Sequence, residues 1–202
     1  SGDFNTALGS NALTALLDGQ RNTAIGFFAG VKIEGGDHNI AVGHASLAEV
    51  VNSERNTAVG YQSGNKTTGN FNTYHGYQAG LNVANANYNV HLGWTAGDNI
   101  TSGSGNISIG AGADPASATG NRQLTISGFD GTTTTTWISG DNSGNLTFPA
   151  QVAAASLDIS GDVDVDGTLE ADAITVNGTT LAEYIADTAG AMTSSNTETG
   201  IT

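Results

Sequence analysis

The sequence predicts an all-β repeat protein: a parallel β-roll of about seven coils, then β connector segments, then a short helix near the C-terminal end. Three observations carry this prediction. Asparagine recurs every 16 or 17 residues, at Asn5, Asn22, Asn39, Asn56, Asn72, Asn89 and Asn106. Four residues after each stands a glycine (Gly9, Gly26, Gly43, Gly60, Gly76, Gly93, Gly110), and three further on an alanine or serine (Ala12, Ala29, Ser46, Ser63, Ala79, Ala96, Ala113). Composition agrees: 29 glycines in 202 residues and 6% aromatics suit turns and short strands, and leave too few large apolar side chains for one compact core. Burial must then come from coil stacking on coil, or from other chains.

Residues 1–115 are the predicted roll. Each coil opens on a stretch such as Asn-Thr-Ala-Ile-Gly at 22–26 or Asn-Ile-Ala-Val-Gly at 39–43. The positions one and three after asparagine are mostly β-branched or aliphatic (Thr23/Ile25, Ile40/Val42, Thr57/Val59, Val90/Leu92, Ile107/Ile109), with Ala7, Ala24, Ala41 or Ala58 between them. In a strand these alternate, giving one bulky apolar face and one flat face of alanines. The flat face is expected to pack closely against an identical row from another chain. Glycine then permits a bend that a Cβ would obstruct. A second apolar stretch (Leu13 to Leu17, Val31 to Ile33, Leu47 to Val51, Leu81 to Val83) is expected to form a second strand, and turns near Gly19, Gly36, Gly69 and Gly103 to close the coil. The asparagine column is expected to hydrogen-bond from coil to coil as an amide ladder. Tyr74 and His91 replace alanine in two coils and His75 takes an aliphatic position, so packing there must differ.

Residues 116–149 read as a β-rich connector around the threonine run Thr132 to Thr136, and 150–178 as a small β segment. Asp162-Val-Asp-Val-Asp166-Gly167 has the opening spacing of a calcium loop, but the position that needs a bidentate glutamate is Ala173. A strand with its aspartates toward water, ending in an Asp-Gly turn, fits better, with Asn177-Gly178 as a second such turn. In 179–202, Thr180 and Glu183 make a capping box. After it Leu181, Ile185, Thr188 and Met192 recur at spacings of 4, 3 and 4, the seam of a short coiled coil. So few heptads do not form a stable helix alone, which calls for partner chains.

The net charge of −14 speaks against nucleic acid and anionic membranes, both of which need a basic face. All five cations lie in the first 122 residues, and eleven of the nineteen carboxylates follow them. There is no cysteine, and no apolar run approaches the roughly 20 residues that cross a bilayer. No nucleophile elbow and no phosphate-cradling glycine loop appear, so neither catalysis nor a cofactor is expected. His75 and His91 fall on adjacent coils, but nothing adds a carboxylate; they read as core histidines, and no metal is expected. The residue after each glycine forms a further column: Ser10, Phe27, His44, Tyr61, Tyr77, Trp94 and Ala111. Tyr61, Tyr77 and Trp94 are the candidate receptor contacts, because amphipathic rings stack on sugar faces. The competing reading has the rings filling a seam between strand and outer turn, or between subunits.

Over residues 2–114 the repeat Asn-Thr-Ala-[Ile/Val/Leu]-Gly-x-x-[Ala/Ser] resembles the head repeat of trimeric autotransporter adhesins. It is more similar still to repeats in tail-fibre and structural proteins of bacteriophages. Asn121-Arg-Gln-Leu-Thr-Ile-Ser with Trp137-Ile-Ser-Gly-Asp-Asn-Ser-Gly-Asn-Leu146, and Gly161 through Gly178, are similar to connector segments of such fibres. The resemblance implies a left-handed roll, a homotrimer about one axis with a trimeric coiled coil, and a place in the virion outside the cell. Other virion or fibre proteins, and host surface polysaccharide, are the implied partners. The implied role is structural: holding or presenting a host-binding tip. The alternative is the head of a bacterial trimeric adhesin at the cell surface. A third is a polysaccharide-cleaving β-helical fibre, although the acids of the roll (Asp3, Asp18, Glu34, Asp37, Glu49, Glu54, Asp98) fall in turns without a cluster.

Overall fold

A computed structural model describes residues 2–154, 156, 158–168, 174–176 and 179–195, in two units, Ser1–Ala153 and Ala154–Thr202. The first is a seven-turn parallel β-solenoid. Each coil contributes one three-residue strand: β1 (Thr6–Leu8), β2 (Thr23–Ile25), β3 (Ile40–Val42), β4 (Thr57–Val59), β5 (Thr73–His75), β6 (Val90–Leu92) and β7 (Ile107–Ile109). Neighbours pair in parallel and in repeat register, Ala24 beside Ala41 beside Ala58, and β4 keeps that register with β5 although its coil is one residue shorter. The glycine that follows stops each strand. Its φ lies between +115° and +145° in all seven coils, open to residues without a Cβ. It is also crowded: a Cβ on Gly26 would stand 2.7 Å from the carbonyl oxygen of Gly43 in the next coil.

The strand's two faces are the reverse of the sequence expectation. Ala24, Ala41 and Ala58 are fully buried inside the coil, so the alanine row is not a surface that meets another chain. The flanking aliphatics Leu8, Ile25, Leu92 and Ile109 point outward and are exposed, with Val42 and Val59 half-buried. The reason is volume. A lap of 17 residues encloses so little space that the strand can send only a methyl inward once the opposite wall has supplied Leu13, Ile33, Leu47 and Val50.

The opposite wall is not a second strand. It is a run of turns that takes left-handed backbone at two places per coil: Asn11, Phe28, Ala45, Gln62, Gln78 and Thr95 at one, and Leu13, Gly30, Leu47, Gly64, Gly80 and Gly97 at the other. That curl tucks in the buried Ala29, Ile33, Val50, Val83 and Ile100. Hydrogen bonds still cross from lap to lap, as from the Leu47 N–H to the Ser63 carbonyl (3.1 Å) and from Gly64 to Ala79 (2.9 Å). Tyr74 and His91 fit the interior because glycine faces them. A Cβ on Gly64 would stand 2.5 Å from the Tyr74 ring, and Gly80 and Gly97 are equally closed by Tyr74 and His91.

The sheet does not stop at residue 115. β8 (Leu124–Phe129) adds to β7 in parallel as an eighth rung. It then turns back through β9 (Thr134–Gly140), with a bulge at Ile126/Ser127, and β10 (Leu146–Thr147), both antiparallel. These strands extend the sheet past the last coil. In the second unit, β11 (Thr175–Val176) and β12 (Thr179–Thr180) form an antiparallel pair, and α1 runs Leu181–Ser195. Asn177 and Gly178, the expected turn between them, lie outside the described residues. The Asp162–Gly167 stretch, expected as a strand, is exposed and has no ladder partner. Thr180 caps α1 as predicted, its hydroxyl accepting from the Glu183 N–H at 3.3 Å. Leu181 is half-buried and Ile185 and Thr188 are exposed; the Met192 side chain lies outside the described residues.

Candidate functional site

The seven predicted asparagines do form one column, and each does two jobs. Its Nδ2 donates to the carbonyl three residues before the next asparagine (Asn22 to Gly36 at 2.7 Å, Asn39 to Ser53 at 2.7 Å, Asn89 to Gly103 at 2.9 Å), which closes its own lap. Its Oδ1 accepts the backbone N–H of the next asparagine (Asn5 from Asn22 at 2.8 Å, Asn56 from Asn72 at 3.0 Å), which joins lap to lap. Gln123 takes the eighth place, donating its N–H to Asn106 Oδ1 at 2.9 Å. Sequence reasoning missed it, although counting 17 past Asn106 lands on it. The ladder satisfies buried polar groups and offers a ligand nothing.

Contact with other molecules must use the outside. Phe27, His44, Tyr61, Tyr77 and Trp94 do line up there, directly beside the outward aliphatic column. Tyr61 is 37% exposed, Tyr77 46% and Trp94 51%. The rings hold one another. Phe27 and His44 lie 5.2 Å apart, His44 and Tyr61 5.1 Å, both edge to face, and Tyr61 stacks on Tyr77 at 5.0 Å. Trp94 stacks instead on Phe129 of β8, at 5.8 Å. The three candidates therefore share one ridge, Trp94 at the end nearest β8. Such pre-ordered rings lose little entropy on meeting a flat apolar ligand.

The two histidines part company. His75 projects outward in the aliphatic column. His91 points inward, fully buried and stacked on Tyr74 at 5.6 Å. Neither His91 ring nitrogen has a hydrogen-bond partner, and burial pushes its pKa down to about 4. Tyr74, also buried, has its hydroxyl pKa raised by the same cause. Among the described residues no three His, Asp or Glu side chains converge on a point.

A second outward column escaped the sequence reading. The residue just before each ladder amide sits in left-handed backbone: Phe4, Arg21, His38, Arg55, Phe71, Tyr88, Gly105 and Arg122, all with φ between +54° and +70°. Each non-glycine residue there costs on the order of 1 kcal/mol relative to glycine. Except for the half-buried Gly105, all are exposed. The corner is imposed by two flanking ladders. On one side runs the asparagine column. On the other, the side chain two residues before the ladder amide accepts from the lap before it at Asp37, Asn70, Asn87, Ser104 and Asn121, as Asp37 does from the Gln20 N–H (2.6 Å) and Asn87 from Asn70 (2.7 Å). Along the corner, Arg21 lies 5.4 Å over the Phe4 ring, Arg55 5.3 Å over Phe71, and Phe71 stacks on Tyr88 at 5.0 Å. The signal that would have found it is simple: every arginine of the chain stands immediately before a ladder amide.

Comparison with protein-family models, with curated proteins and with solved structures gives no match to the chain.

Proposed function

We propose that the chain is a structural segment of a bacteriophage tail fibre or similar adhesive spike, a homotrimeric shaft that carries ring-bearing ridges toward host surface polysaccharide. One observation supports this above the rest. The outward face of the seven rungs is a continuous apolar column, Leu8, Ile25, Val42, Val59, Leu92 and Ile109, interrupted only by His75 and flanked by the ridge of Phe27, Tyr61, Tyr77 and Trp94. Leu8, Ile25, Leu92 and Ile109 are exposed and Val42 and Val59 half-buried, and an aligned apolar strip rimmed by polar residues is the kind of surface that marks association. A closed cyclic assembly buries such strips without leaving an open edge. The exposed Ile185 of α1 fits the same scheme as part of a coiled-coil seam. The repeat's resemblance to phage-fibre and adhesin-head repeats supplies the choice of three chains.

Sedimentation equilibrium tests the assembly. The expected mass is three times the 20.3 kDa chain. Val42→Asp with Val59→Asp should give a monomer that keeps its β circular dichroism; a monomeric wild type sinks the reading. Changing Tyr61, Tyr77 and Trp94 together to alanine should abolish host adsorption while the trimer persists. Unchanged adsorption would remove the ridge from the receptor surface.

A further inference from the structure

We infer that the corner column headed by Phe4, Arg21, His38, Arg55, Phe71, Tyr88 and Arg122 is a second ligand track, built for an extended acidic polysaccharide. The inference deepens the proposed function and rests on its premise that the chain meets a polysaccharide; it concerns a different ridge and a narrower ligand class.

Residue choice is the first argument. A position forced into left-handed backbone is best filled by glycine or asparagine. This chain is rich in both, yet places glycine there once, at Gly105. Elsewhere it places two phenylalanines, a tyrosine, a histidine and all three of its arginines. All three arginines stand on one exposed line of a protein with net charge −14, with Asp3, Asp37 and Glu54 one residue before it, and on that line the chain offers its guanidinium groups to an anionic ligand. Guanidinium is suited to the task, since its planar fork matches a carboxylate. Among the described residues Arg122 forms no ion pair, Arg21 reaches only the Gln20 amide oxygen at 3.3 Å, and Arg55 alone is tied to a carboxylate, that of Glu54.

Spacing is the second argument. Rungs of a parallel sheet recur about every 4.8 Å, close to the length of one sugar ring in an extended glycan, so ring or guanidinium could meet successive sugars. An extended peptide repeats its same-face side chains about every 6.7 Å and falls out of step after two rungs. An acidic glycan, with apolar sugar faces for Phe71 and Tyr88 and carboxylates for the arginines, is the ligand these residues fit.

The test uses calorimetric titration of the full chain with polygalacturonate, and with the same polymer fully methyl-esterified so that backbone and length are kept and charge is removed. Wild type should bind the acid form at least tenfold more tightly than the ester. Arg21→Asn with Arg55→Asn and Arg122→Asn should weaken binding to the acid form at least tenfold. Asparagine tolerates the left-handed corner, so circular dichroism and the thermal midpoint should hold. Failure of wild type to bind the acid form, equal binding of the ester, or undiminished binding by the triple variant would each overturn the inference. Sedimentation of the same samples keeps the two ideas apart. A trimer that ignores polygalacturonate defeats this inference alone, and a monomer that binds it defeats only the trimeric shaft.

Discussion

Asn56 shows what one repeated residue contributes. Its Nδ2 donates to Gly69 at 2.9 Å and its Oδ1 accepts from the Asn72 N–H at 3.0 Å, all of it buried. Replacing it with alanine strands a carbonyl in one lap and an N–H in the next. Net loss per buried hydrogen bond is about 1 kcal/mol, and an orphaned group costs about 1–3 kcal/mol. Asn56→Ala should therefore cost about 3 kcal/mol in a denaturant titration; a loss below about 1 kcal/mol would mean water reaches the ladder. His91 makes a different prediction. Its pKa is about 4 in the fold and about 6.5 in the unfolded chain, so the unfolded state takes up its proton first. Stability linked to His91 is whole above pH 6.5, declines as pH falls, and is lost by pH 4, an effect of about 3 kcal/mol. His91→Ser should remove that share of the acid sensitivity, read as the difference in unfolding free energy between pH 7 and pH 4. An unchanged pH slope in the variant would show that His91 is not the group responsible.

At the scale of the coil, inward residues answer one another across a narrow interior, and this decides how much was legible. The ladder was readable because its asparagines and glycines answer narrow positional demands, repeated seven times; Gln123, meeting the same demand with a different amide, slipped past the pattern. Which strand face is inside was not. Alternation separates two faces but does not rank them, and the usual rule, bulky apolar side inward, fails where the cavity admits only a methyl against Leu47 and Val50. The left-handed corner was equally hidden, since Arg21, Phe71 and Tyr88 are not residues that announce such backbone. Volume matching makes its own prediction. Gly80 has φ +61° and its missing Cβ would stand 2.4 Å from the edge of the Tyr74 ring. Gly80→Ala should cost about 3 kcal/mol from clash and backbone strain together. Adding Tyr74→Ala should return the clash share, leaving a coupling of about 1–2 kcal/mol in a double-mutant cycle. Strict additivity would mean the ring moves aside and the match is accidental.

For the solenoid as a whole, each lap touches only its neighbours, so stability is a sum of intrinsic and interface contributions along one dimension. The two ends are not equivalent. Past β7 the sheet continues through β8, β9 and β10, so β7 has a ladder neighbour on both sides. At the other end β1 has one ladder neighbour, and Thr6, Ala7 and Leu8 are all exposed, whereas Ala41 and Ala58, in the middle, are fully buried. Local opening follows burial and neighbour number. Amide exchange should then be slowest on β3 to β6 and speed up toward β1, by at least tenfold from the Ala41 N–H to the Ala7 N–H. The strands near β8 should stay close to the central value. Lateral association of the outward aliphatic column would slow every rung alike, because that column runs past all of them; it would raise the whole profile without flattening it. A profile that is level from β1 to β7 would mean the laps unfold as one block, and the nearest-neighbour picture of this fold would have to be given up.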